Sequence, residues 1–194
     1  MKLIILAVIC SFLCINTHSQ TNYISIYKNQ ADFREKVNPL IVNCKKGNNS
    51  FRVSNMFFSP YLYIKTDSYK TKIPLDSVYA YTDNKGNNYR IWDKSVFLLC
   101  ESGILQIYSQ PQWITIKIQT SRSYRYENKK VLSYFFAISD TSKILPLTLN
   151  NIFREMYCDK KSYKELISQF PDDKSLTKKD EDEFILNQFI NKQK

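Results

Sequence analysis

The sequence predicts an α+β domain, a mostly antiparallel β-sheet of about six to nine strands over residues 23–147 followed by two or three C-terminal helices. Three observations carry this reading. Apolar and polar residues alternate with period two through the middle of the chain, glycine-bearing turns separate the alternating runs, and the period changes to near 3.6 only in the last third. No strand and helix alternation interrupts the middle, which argues against a parallel βαβ sheet. The pattern leaves open whether the sheet closes into a barrel.

The chain starts with an apparent export leader. Lys2 supplies the positive start, residues 3–15 are apolar, and Thr17-His18-Ser19 gives a small-x-small cleavage site before Gln20. The apolar core is shorter than the roughly 20 residues a spanning helix needs. Cys10 follows Ile9 and Cys14 follows Leu13, where a lipid-anchor signal needs a small residue before its cysteine. Residues 1–19 are therefore expected to be a signal peptide, and residues 20–194 one α+β domain, β-rich over 20–147 and helical over 148–194. The protein is expected to be exported, periplasmic or extracellular, and not lipid-anchored.

Each element has a local signal. Tyr23-Ile24-Ser25-Ile26-Tyr27 alternates as a strand; Asn29 caps a short helix with Asp32 at its third position, and Phe33 and Val37 share a face before Pro39. The polar turn at 45–50 separates apolar runs at 40–44 and 51–58. A hairpin is predicted from 78–82 onto 89–92 through Asp83-Asn84-Lys85-Gly86, and a second from 96–100 onto 104–108 through Glu101-Ser102-Gly103. Ile114, Ile116 and Ile118 predict a strand with one wet face, whereas residues 132–138 read as a central strand covered on both sides. Thr148 caps a helix carrying Ile152, Phe153 and Met156. Ser162 and Glu165 form a capping box for a second, ended by Pro171. A third is predicted to start near Thr177, with Phe184, Ile185, Phe189 and Ile190 on one stripe and Asp180-Glu181-Asp182-Glu183 offsetting its dipole.

Composition narrows the chemistry. The chain has one histidine, His18, and it lies in the leader, so cleavage removes imidazole-dependent triads, histidine-ligated zinc and the usual neutral-pH base. Gly47, Gly86 and Gly103 are the only glycines and all sit in turns, leaving none for a phosphate loop. The acidic run at 180–183 lacks the calcium-loop spacing. No catalytic residue, metal or cofactor is expected. The alternative is a small hydrolase of envelope glycans working through two carboxylates brought together only by the fold. Cys44, Cys100 and Cys158 follow the leader, an odd number, so Cys44 and Cys100 are either one disulfide or two buried thiols.

The formal net charge is +10, and loss of Lys2 with the leader lowers it to +9. Positive charge concentrates in one segment. Lys117, Arg122, Arg125, Lys129 and Lys130 face a lone Glu127, with Tyr124 and Tyr126 interleaved on a predicted hairpin. An exported protein with this segment is expected to meet an anionic glycan, lipopolysaccharide or membrane surface, and no nucleic acid. The same charges also serve to protect a hairpin edge from self-pairing. Tyr61, Tyr63, Tyr79, Tyr81, Tyr89 and Trp92 gather in the central hairpins, where they either line a ligand surface or stabilise the sheet.

The order of several short pieces resembles a known group. These are Ser19-Gln20, Ile26-Tyr27-Lys28, Asp32-Phe33, Ser77-Val78-Tyr79-Ala80-Tyr81-Thr82-Asp83, Lys85-Gly86, Tyr89-Arg90, Leu145-Pro146-Leu147-Thr148 and Leu186-Asn187. Together they resemble the uncharacterised secreted proteins of Bacteroidota, and Asp76-Ser77-Val78 resembles the O-glycosylation acceptor of secreted proteins there. The resemblance implies a compartment and supplies no activity. The expected function is a non-enzymatic binding or interaction module of the cell envelope.

Overall fold

The computed structural model describes residues 23–44, 49–54, 59–119, 123–156 and 160–192, with backbone alone over 160–163. The leader, the turn at 45–48, Cys158 and the side chain of Ser162 lie outside the described residues. The chain runs β1 (Tyr23–Tyr27), α1 (Gln30–Glu35), β2 (Leu40–Asn43), β3 (Ser50–Ser54), β4 (Tyr61–Lys65) and β5 (Lys70–Pro74). A 3₁₀ turn at Leu75–Ser77 leads to β6 (Ala80–Thr82), β7 (Asn88–Trp92), β8 (Ser95–Ser102), β9 (Gln106–Gln119), β10 (Tyr124–Ala137) and β11 (Leu145–Pro146). The last third holds α2 (Leu149–Met156), α3 (Lys160–Gln169), a 3₁₀ turn at Ser175–Thr177, the short pair β12 (Lys179–Asp180) and β13 (Glu183–Phe184), and α4 (Ile185–Lys192).

Eight strands form one antiparallel sheet in the order β11-β10-β9-β8-β7-β6-β1-β2, and β3-β4-β5 form a second. The large sheet is open, with β11 and β2 at its edges, so the barrel alternative is not realised. Pairing register places Ile26, Tyr81, Tyr89, Leu98, Ser109 and Tyr134 in one row across six strands and on one face. That face carries two different layers. Over β1, β2, β6 and β7 it packs on the three-stranded sheet, joining Ile24, Ile26, Val42 and Ile91 to Leu62 and Ile64. Over β8 to β10 it packs on the helices, joining Ile107 and Phe136 to Ile152, Leu166, Phe170, Leu186 and Ile190. Each such side chain removed from water contributes about 1.5–3 kcal/mol. The opposite face is covered more thinly, by α1, whose Phe33 meets Tyr27 and Tyr79, and by Ile144 of the loop before β11, which packs with Phe97, Tyr108 and Ala137.

Several local signals act as read from the sequence. Asn29 Oδ1 accepts the Asp32 amide at 2.9 Å, Thr148 Oγ1 accepts the Asn151 amide at 3.2 Å, and Gly86 turns the β6–β7 hairpin at φ +84°. Others act differently. Residue Lys36, at φ 56°, closes α1 three residues before Pro39. The run 180–183 folds as the β12–β13 hairpin, with Glu181 at φ 54°, so it does not cap a helix, and α4 starts only at Ile185. Gly103 has no positive φ; a Cβ there would lie 2.8 Å from Asn187 Nδ2, an amide tied by hydrogen bonds to Glu101 and Leu105.

The disulfide alternative is also corrected. Cys44 and Cys100 are free thiols packed against separate clusters. The strands leading to them, β2 and β8, are four steps apart in the sheet, on the order of 19 Å, against roughly 7 Å at most between bridged Cα atoms. Cys100 Sγ instead contacts Ser109 Oγ at 3.1 Å, and burial pushes the Cys44 thiol pKa up.

Candidate functional site

β9 and β10 pair from Gln106↔Ala137 to Gln119↔Tyr124. Their outer neighbours stop early. β8 follows β9 only as far as Ser109, and β11 touches β10 only at Phe135 and Phe136. Residues 110–119 and 124–133 therefore leave the sheet as a two-stranded arm, which at about 3.4 Å per residue extends about 34 Å. Its root is anchored where Ile107 and Phe136 enter the helical core.

The register sorts the arm into two faces. Trp113 opposes Lys130, Lys117 opposes Tyr126, and Pro111 opposes Leu132, with Tyr124 beyond them on the same side. On the other side Ile114 opposes Lys129, Ile116 opposes Glu127, and Ile118 opposes Arg125. Beyond the root, where Gln112, Leu132 and Ser133 border Pro146, Thr148 and Asp173, no second layer among the described residues covers either face. Trp113 is 72% exposed, Tyr126 66% and Leu132 55%, and Tyr124, Ile114 and Ile118 are also exposed. Exposed apolar side chains of this size on a soluble surface mark an interaction site.

Aromatic rings and cations are interlocked here. Lys117 Nζ sits 3.6 Å from the centre of the Tyr124 ring. Arg125 Nη2 meets Glu127 Oε1 at 3.1 Å, an exposed pair that adds little stability. Thr115 Oγ1 hydrogen-bonds Asn128 Oδ1 at 2.9 Å across the strands. A two-stranded ribbon is marginal by itself; Lys117–Tyr124 and Thr115–Asn128 add to the strand pairing across it, whereas Arg125 and Glu127 lie on one strand.

Six of the seven residues singled out in the sequence thus meet on one arm: Lys117, Tyr124, Tyr126 and Lys130 on one face, Arg125 and Lys129 on the other. Arg122 lies outside the described residues. The sequence does not mark Trp113 as part of the site, and it places Ile114, Ile118 and Leu132 on strands rather than in the site. Alternation at Ile114, Ile116 and Ile118 suggests a buried side that the arm does not have; of residues 132–138, which read as covered on both sides, Tyr134 and Phe136 pack on the helical cluster and Phe135 and Ala137 on the opposite one, while Leu132 and Ile138 are exposed. The central tyrosines do not share a surface. Tyr81 and Tyr89 stack at 4.6 Å inside the core, Tyr79 and Trp92 flank Arg90, and Tyr61 and Tyr63 lie on the second sheet.

Among the described residues no group of three His, Cys, Asp or Glu is placed to hold a metal ion, and no helix is long and apolar enough to cross a membrane. Comparison of the chain with protein-family models, with curated proteins and with solved structures finds no match.

Proposed function

We propose that the protein is a non-enzymatic, exported module of the cell envelope that binds an anionic lipid bilayer through the β9–β10 arm. The observation that carries this reading is the exposure of Trp113, Tyr126, Tyr124 and Leu132 on one face together with Lys117 and Lys130, and of Arg125 and Lys129 on the other, with Glu127 the one acid of the arm's described residues. Tryptophan and tyrosine favour the headgroup level of a bilayer, where the ring is apolar and its polar edge stays wet. Lysine and arginine stems lie along apolar surface while their charges reach the phosphates, each contributing about 1 kcal/mol near an anionic surface. The arm extends about 34 Å beyond its last flanking strand, so rings and cations can reach the interface together. Export, expected from the leader, would supply the compartment.

Vesicles of phosphatidylglycerol and phosphatidylcholine test this, read by sedimentation and by the emission of Trp113 in a Trp92→Phe background. Binding with a blue shift, weakened at least about tenfold by replacing Lys117, Arg125, Lys129 and Lys130 with glutamine and screened by salt, is the expected result. Equal binding to purely zwitterionic vesicles, or no binding to either, would sink the reading. Binding to soluble lipopolysaccharide glycan without any to vesicles would do the same.

A further inference from the structure

Cations and aromatic rings meet a second time, on the outer face of the β3–β4–β5 sheet. Register sets Arg52, Tyr63 and Lys72 directly opposite one another across three strands, with Ser54, Tyr61 and Pro74 in the next row on that face and Ser50, Lys65 and Lys70 in the row before. The intervening residues Phe51, Val53, Leu62, Ile64 and Ile73 turn inward to the core, which fixes the outward set. None of the three outward rows contains a carboxylate.

The side chains shape two joined clefts. The first, about 310 Å³, is lined by Arg52, Val53, Ser54, Tyr61, Tyr63 and Lys72. The second, about 440 Å³, shares Tyr61 and Lys72 with it and adds Lys94, Ser59 and one acid, Asp76. Arg52 Cζ stands 5.4 Å from the centre of the Tyr63 ring and Lys72 Nζ 4.8 Å from that of Tyr61. Both cations are therefore held over rings, which lowers the ordering cost of receiving an anion. The Tyr61 phenol is held below the ordinary tyrosine pKa. Its hydrogen bond with Ser54 is the main cause, burial opposes it, and the charges of Lys72 and Arg52 add to it. The site thus favours a negative oxygen at the wall between the clefts.

We propose that these clefts bind an anionic oligosaccharide, with an anionic substituent of one sugar between Arg52 and Lys72 and the next sugar beyond Tyr61 toward Lys94. Two adjoining clefts within the ordinary ligand-pocket size range, the three cations Arg52, Lys72 and Lys94 among their linings and hydroxyls from Ser54 and Tyr61 match a short charged sugar chain. A bilayer needs a protruding surface, and this site is recessed. It stands independently of the arm, so either assignment can fail alone.

Titration calorimetry with a heparin-derived sulfated tetrasaccharide, its desulfated, N-acetylated and carboxyl-reduced neutral form and an oligogalacturonate tests the assignment. The parent is expected to bind at least one anionic chain and not the desulfated one. Arg52→Gln with Lys72→Gln is expected to weaken that binding at least about tenfold, while Lys85→Gln with Lys178→Gln, an equal loss of charge outside both clefts, changes it less than about twofold. No binding of either anionic chain by the parent, or equal weakening by the two double variants, overturns the proposal. Should the cleft variant lose its thermal transition, the parent decides: the bound anion raises the Tyr61 phenol pKa, read from its ring resonances, and an unchanged titration overturns the assignment.

Discussion

Arg90 Nη2 donates a hydrogen bond to the Ser142 carbonyl at 2.6 Å from a position only 3% exposed. Nη1 reaches the Ser139 carbonyl and the Tyr108 phenol at 3.4 Å each, and the guanidinium lies 5.4–6.0 Å from the rings of Tyr79, Trp92 and Tyr108. One strand residue thereby fixes the loop that carries Ile144 onto the otherwise thinly covered face of the sheet.

Arg90→Ala is expected to cost about 3 kcal/mol, because it removes the charged hydrogen bonds that hold the Ser139–Ser142 loop and empties a ring-lined space. Arg90→Lys should recover less than half of that, since one ammonium cannot span Ser139 and Ser142 as a planar fork does. Urea unfolding midpoints measure both. A loss below about 1 kcal/mol for the alanine variant would show that the loop is held by other contacts.

Asn187 joins the C-terminal helix to the β8–β9 turn. Its Oδ1 accepts the Leu105 amide at 2.9 Å; its Nδ2 donates to the Leu105 carbonyl at 3.0 Å and to Glu101, whose other oxygen accepts the Phe184 amide at 2.6 Å. Asn187→Ala is expected to cost about 2–3 kcal/mol, and Gly103→Ala to destabilise by driving a methyl into the Asn187 amide. In the Asn187→Ala background the Gly103 substitution should add almost nothing. Additive losses in that double-mutant cycle would refute the steric account.

Burial raises the Tyr79 phenol to about 12, while its hydroxyl donates to the Asp140 carbonyl at 2.7 Å. The folded state thus holds this proton more tightly than the unfolded chain, whose tyrosines ionise near 10. The associated stability is complete below pH 10 and is lost as pH rises from about 10 to 12. Tyr81 and Tyr108 are raised by burial too and act in the same direction. Melting temperatures across pH 9–12 should be flat and then fall, with a shallower fall in Tyr79→Phe; identical slopes would remove Tyr79 from the account.

Replacing residues 113–130 with Asn-Gly between Gln112 and Val131, which already face one another, closes the arm with a two-residue hairpin turn. The described residues among those removed are absent from the buried core. The unfolding free energy from urea titration should change by less than about 1 kcal/mol while vesicle binding disappears. Loss of folding would mean that the arm is structural.

Legibility followed locality. Strand alternation, the Asn29 and Thr148 caps and the Gly86 turn are dictated by neighbours within a few residues, and all are present. What depends on distant partners was unreadable. Gly103 reads as a turn glycine until Asn187 arrives from 84 positions away. Ile114 and Ile118 read as half buried because alternation implies a covering layer, and only the topology shows that β8 and β11 stop short of them. The cationic segment was legible as composition. Its division between two faces, and the Trp113 that dominates one of them, required the register. Arg52 and Lys72 lie 20 residues apart in sequence and become neighbours of one tyrosine only through β4.

The two layers on one face of the large sheet give the molecule a mechanical asymmetry. The arm is a lever whose fulcrum is Ile107 and Phe136, on the half backed by helices, whereas the clefts around Tyr61 belong to the half backed by the second sheet. A load applied at the tip falls first on the helices and the Asn187 tether, and the strands β7 and β8 stand between it and the other half.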